Sequence, residues 1–139
     1  MMRFIDANVF IYAILKPKTA LPELVLKRKT AAKEIFLRVN GGEQVTTTTV
    51  HLSEVANVLE DVADLDFACD LLSALMSKPS IIVQSVSADN YRESNRLAQK
   101  YSISINDALA LVVMEQQAID EIYTFDRHFS QAPVRVVQE

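Results

Sequence analysis

Four carboxylates stand out by type and by setting: Asp6, Glu54, Asp107 and Asp126, each on a different segment of a 139-residue chain. Each has an ordinary alternative. Asp6 and Asp126 can cap the turn that follows them, because an acid there accepts from backbone N–H groups that have no helical partner. Asp107 completes Ser104-x-x-Asp107, the spacing of a capping box. Glu54 can be a surface residue. Capping explains an acid at a helix start. It does not explain four acids from four segments, three of them with no basic residue alongside. The chemistry that uses such a set is hard-metal binding. Mg²⁺ and Mn²⁺ take oxygen ligands and keep several waters. Two such ions roughly 3.5–4 Å apart can activate water and stabilise the leaving oxygen of a phosphodiester. Without a cation, carboxylates this close raise one another's pKa.

The elements that would position these acids follow from apolar period and punctuation. Met2–Asp6 is β-prone and reads as a first strand. Val9–Leu15 is apolar on every side, so a buried helix is expected, stopped by Pro17. A second helix starts near Pro22, with proline in its first turn, and runs to Gly41–Gly42. Gln44–Thr48 gives strand two, and Val50–Glu60 a helix. Asp64 caps a helix to Lys78, with Leu65, Ala68, Leu72 and Leu75 on one face and Pro79 ending it. Ile81–Val86 is strand three. Ser87 caps a helix to Tyr101, and Ser104 caps a buried one from Ile105 to about Ala118. Glu121–Phe125 and Val134–Val137 are strands four and five. Strands alternating with helices predict a parallel sheet covered on both faces, with strand one central. Ligands of such sheets sit beyond the carboxyl ends of the strands. Asp6 and Asp126 end strands one and four, and Glu54 lies about a turn into the helix after strand two. All three therefore fall at one edge.

Composition narrows the classes. One domain over 1–139 is expected from length and from a chain that is 50% hydrophobic and 23% charged. The single cysteine, Cys69, excludes an internal disulfide and a cysteine zinc framework, and reads as a buried apolar residue. Only two glycines are present, adjacent at Gly41 and Gly42, which excludes a phosphate-cradling glycine loop. The longest apolar runs, Val9–Leu15 and Ala108–Met114, are seven residues each. A membrane-spanning helix needs about 20, and no export signal is recognisable. A soluble, cytoplasmic protein is expected. Net charge is −4, which argues against global attraction to nucleic acid. Yet half of the cations, Lys16, Lys18, Lys27, Arg28, Lys29, Lys33 and Arg38, fall in one stretch. That stretch is either a solvated helix face or a phosphate-facing surface. Two divalent cations would bring the loaded protein near formal neutrality.

The quoted residues also match a known pattern. Phe4-Ile5-Asp6-Ala7-Asn8-Val9-Phe10-Ile11-Tyr12, Ser53-Glu54-Val55, Ile105-Asn106-Asp107-Ala108-Leu109-Ala110 and Thr124-Phe125-Asp126-Arg127-His128-Phe129 occur in that order over nearly the whole chain. The chain resembles a PIN domain, most closely the VapC-like toxins of toxin–antitoxin pairs. The resemblance implies a three-layer α/β/α sandwich with a mainly parallel sheet of about five strands. It implies a Mg²⁺- or Mn²⁺-dependent endoribonuclease acting on RNA, with Asp6, Glu54, Asp107 and Asp126 as metal-binding catalytic acids. Asn8 and Thr124 match supporting positions. The implied partners are RNA, a cognate antitoxin protein and a second copy of the chain.

Competing readings are weaker on the residues. An aspartyl phosphatase wants an acid where Asn8 stands and a late lysine, and no lysine follows Lys100. A receiver domain lacks its acidic pair near strand one. A non-catalytic PIN-like module that binds RNA or protein remains the alternative. His51 and His128 read as ordinary surface or core residues, and the Thr46–Thr49 run as strand and cap. The apolar face of the helix at 64–78 exceeds what one core uses. A homodimer is therefore expected, through the helices between 49 and 78 or the helix at 22–40. Sedimentation at micromolar concentration should show a dimer, and monomer alone would refute it.

Overall fold

A computed structural model describes residues 2–16 and 19–138. In chain order the elements are β1 (Arg3–Ile5), α1 (Ala7–Ile14), α2 (Glu23–Asn40), β2 (Val45–Thr48), α3 (Thr49–Val62), α4 (Leu65–Ser77), β3 (Ile81–Gln84), α5 (Ala88–Tyr101), α6 (Ile105–Gln116), β4 (Glu121–Tyr123), a 3₁₀ turn (Arg127–Gln131) and β5 (Arg135–Val137). The strands lie in the order β3-β2-β1-β4-β5, and every adjacent pair is parallel. Strand one is central, as expected, with Phe4 in register with Thr46 on one side and Ile122 on the other.

Three layers follow from the two-residue period of the strands. Ile5, Val45, Ile81 and Tyr123 join α1–α4 in one core, while Phe4 and Ile122 join α5, α6 and Phe129 in the other. The crossovers from β1 to β2 to β3 move one way along the sheet. The crossover to β4 reverses past β1. Right-handed crossovers place helices on opposite faces when that direction reverses, so α5 and α6 cover the second face. The reversal opens a crevice at the carboxyl ends of β1 and β4.

Several boundaries differ from expectation for local reasons. α1 starts at Ala7 rather than Val9, because Asp6 accepts the Ala7 N–H and caps it. Only Ala7, Val9 and Phe10 of α1 are buried, so it is not enclosed on every side. Pro17 lies outside the described residues. Pro22 sits at the cap of α2, just outside the first turn. β4 ends at Tyr123, two residues early, because the Thr124 hydroxyl takes the Asp126 N–H. β3 likewise ends two residues early, at Gln84, and α6 ends at Gln116, before Ala118 takes a φ of 55°. α6 is buried throughout Ala108–Met114, as its apolar run requires. Cys69 is exposed, contrary to expectation. One residue beyond Ala68, it is rotated about 100° from the inward face. That face is itself narrower than its pattern: Ala68 and Leu75 are buried, but Leu65 is exposed.

The basic stretch is divided by the fold. Lys29, expected on a solvated or phosphate-facing surface, is buried instead. Its ammonium donates to the carbonyl oxygens of Tyr12, at 3.0 Å, and Leu15. These belong to the end of α1, where carbonyls lack helical donors. Arg38 lies 3.8 Å from Glu43, just before β2, at the strand edge opposite the acids. Lys29→Met keeps the aliphatic stem and removes the donor. It should cost about 1–3 kcal/mol of stability, read from urea unfolding. An unchanged midpoint would show that the carbonyls of Tyr12 and Leu15 do not depend on Lys29.

Candidate active site

The crevice at the ends of β1 and β4 is built around one threonine. Thr124 is buried, and its hydroxyl donates to Asp6 Oδ2 at 2.7 Å. Thr124 Oγ1 also accepts the Asp126 N–H at 3.0 Å and a longer bond from Asn8 Nδ2 at 3.4 Å. Asn8 Oδ1 in turn accepts the Phe125 N–H at 3.4 Å. Asp6 is 5% exposed, and its other oxygen accepts the Ala7 N–H at 2.8 Å. Asp126 Oδ1 accepts the His128 N–H at 2.9 Å and caps the 3₁₀ turn. Asp6 and Asp126 therefore do serve as caps, each through one oxygen.

Asp107 is different. Its backbone N–H is satisfied by the Ser104 hydroxyl at 3.1 Å. Its carboxyl has a ligand oxygen within 4.8 Å of one on Asp126 and feels the charges of Asp6 and Asp126. Asp6, Asp107 and Asp126 thus share one electrostatic neighbourhood although they come from β1, α6 and the β4 end. Ligand atoms of Asp107, Asp126 and His128 all lie within 4.8 Å of one another, and His128 Nδ1 is 3.1 Å from Asp126 Oδ1. Glu54 joins by another route. Its Oε1 accepts from Asn106 Nδ2 at 2.7 Å, and the Tyr91 hydroxyl donates to Asn106 Oδ1 at 2.9 Å. Asn106, beside Asp107, thereby links Glu54 to the other acids.

The only basic side chains close to these acids among the described residues are His51 and His128. Among the described residues no lysine or arginine forms an ion pair with any of the four acids. Burial pushes the Asp6 carboxyl up to about 6, against the bonds from Thr124 and Ala7, with the Asp126 charge adding to the rise. Burial also leads in pushing Asp107 up to about 8, followed by the Asp6 charge and the hydrogen bond and charge of Asp126. Like charge was the expected cause of such shifts. Desolvation is the larger one in both.

Residues that the sequence did not mark also shape the site. His51 is buried with Nε2 3.9 Å from Asp6 Oδ1. Asn106 stood within the quoted pattern with no role attached, and its bond to Glu54 needed three-dimensional proximity to become visible. A carboxylate set that no lysine or arginine pairs among the described residues suits a hard divalent ion.

The chain matches the PIN domain family over residues 3–134. No curated protein matches it. Among solved structures it resembles VapC20 of Mycobacterium tuberculosis, a toxin that cleaves the sarcin–ricin loop, at 20% identity and a TM-score of 0.77, covering 100% of both chains. It also resembles a toxin–antitoxin complex from Klebsiella pneumoniae, at 18% identity and TM-score 0.66, covering 97% of this chain and 95% of the other. VapBC2 of Rickettsia felis, bound to a DNA fragment from its promoter, aligns at 14% identity and TM-score 0.67 over 99% of this chain and 98% of that one. At these identities the likeness is one of fold.

The raised carboxyls carry a stability signature. A folded-state pKa above the unfolded value adds stability at low pH that is lost as pH rises through the folded value. For Asp107 that window runs from about 4 to about 8. In chelator, the protein should melt several degrees lower at pH 8 than at pH 5. Asp107→Asn should raise the pH 8 melting temperature and flatten the slope. A slope unchanged in that variant would show that Asp107 is not the strained group.

Proposed function

The chain belongs to the PIN domain family, and from that premise we propose that it is a divalent-metal-dependent endoribonuclease, the toxin of a toxin–antitoxin pair. The observation that carries this reading is the approach of Asp107 and Asp126, with ligand atoms within 4.8 Å of each other, beside the buried Asp6, whose charge acts on Asp107. Asp6, Glu54, Asp107 and Asp126 would hold Mg²⁺ or Mn²⁺, with Asn8 and Thr124 supporting them. When bound, the cation supplies activation of the attacking water and stabilisation of the leaving oxygen of a phosphodiester. The chain's own residues do the rest. Thr124 fixes Asp6 and Asp126 in mutual register. Asn106 holds Glu54.

RNA fits as substrate, since the fold-level relatives include a toxin that cleaves the sarcin–ricin loop. An antitoxin protein fits as partner, since two of them are toxin–antitoxin assemblies. Among the described residues no helix is long and apolar enough to cross a membrane. Exposed Leu65, Phe67 and Met76 on α4, with Leu24, Leu26 and Leu37 on α2, support a homodimer through one of those helices.

Cleavage of a mixed RNA substrate should require Mg²⁺ or Mn²⁺ and stop in EDTA. Asp6→Asn and Asp107→Asn keep size but remove charge, and each should lower the rate on the order of 10²-fold or more. His128→Ala should cost much less. Full activity in EDTA, or a parent-like Asp6→Asn enzyme, would show that the acids are structural.

A further inference from the structure

His51 sits in the first turn of α3 and is 1% exposed. Its surroundings fix where its proton is. Thr48 caps α3: the hydroxyl oxygen accepts the His51 backbone N–H at 3.1 Å and lies 2.6 Å from His51 Nδ1. With its oxygen already accepting from the backbone, the hydroxyl proton is available to Nδ1. With Nδ1 as that acceptor, the ring proton is on Nε2. The far side of the ring gives the same answer. Nε2 is buried with no hydrogen-bond partner and lies 3.9 Å from Asp6 Oδ1. A lone pair aimed at the Asp6 carboxylate would be repelled, whereas an N–H is attracted. Phe4 stands edge-on to the ring at 5.0 Å between centroids and limits its tilt.

An unpartnered donor in the interior is costly unless something completes it. The group within reach is Asp6, which has one donor on each oxygen from Ala7 and Thr124. We propose that His51 is a positioning residue of the metal site: its Nε2–H is a third donor to Asp6, reached by a closure of about 1 Å, and it fixes the carboxylate so that its remaining lone pairs face the cation. This role rests on the metal reading above.

The test uses the full chain and Mn²⁺ alone. Calorimetric titration of the parent, His51→Phe and His51→Gln should show a 10–100-fold weaker Mn²⁺ affinity for the phenylalanine variant, the usual effect of losing a residue that orients a ligand. Glutamine, which can offer an N–H in place of Nε2, should recover most of it. Thermal unfolding in chelator checks that each variant is folded. Nitrogen NMR of the labelled parent reads the tautomer directly and should find the proton on Nε2, with a signal that moves in Asp6→Asn. Parent-like Mn²⁺ binding by His51→Phe overturns this role alone, as does a proton found on Nδ1, and the NMR result decides even if the phenylalanine variant does not fold. A parent that binds no Mn²⁺ overturns the metal reading and this role with it.

Discussion

The Thr124 hydroxyl donates its one proton to Asp6 and accepts the Asp126 N–H. A single oxygen thus joins the ends of two parallel strands whose residues are more than a hundred positions apart. The rest of the crevice inherits its geometry from that junction. It ends β4, sets the start of the 3₁₀ turn and turns Asp126 toward Asp107. The Asp6 N–H, bonded to the Tyr123 carbonyl at 3.0 Å, completes the clamp from the backbone side. Sheet topology supplies the crevice, and Thr124 supplies its register.

The carboxyls are held where they are least at ease. Burial raises Asp6 and Asp107, and neighbouring acids raise them further. A protein selected for stability alone would place a neutral side chain at position 107. Keeping the acid stores a preference for whatever positive charge enters the crevice. Capping and metal binding are not rivals here, because a carboxylate has two oxygens and several lone pairs. Asp6 and Asp126 each spend some on backbone N–H groups and leave others for the crevice.

Much of this was legible in the residues. Ser and Asp at helix starts, the all-apolar Ala108–Met114 run and the alternation of strands with helices gave the parallel sheet with β1 at its centre. Three of the four acids are placed by that topology alone, at one strand edge. What remained hidden depended on side-chain direction. The burial of Lys29 follows from where α2 packs on the end of α1, which no local pattern encodes. Cys69 differs from its buried neighbour Ala68 only by one step of helical rotation. His51 read as an unremarkable histidine because its meaning lies in a contact with residue 6, made through the cap that Thr48 provides. The bond between Glu54 and Asn106 joins positions on α3 and α6, on opposite faces of the sheet, and only their shared edge brings them together.

The parallel arrangement also sets the order in which the molecule can become complete. β1 is the first element of the chain, yet β4, its neighbour on one side, begins at Glu121. A nascent chain leaving the ribosome carries Asp6 and Glu54 early, but the crevice has only one wall until the segment through residue 126 emerges and inserts beside β1. Every stalled or truncated translation product that stops short of β4 is therefore missing both Asp126 and the threonine that orients Asp6. Synthesis must therefore pass residue 126 before the four acids can share one crevice.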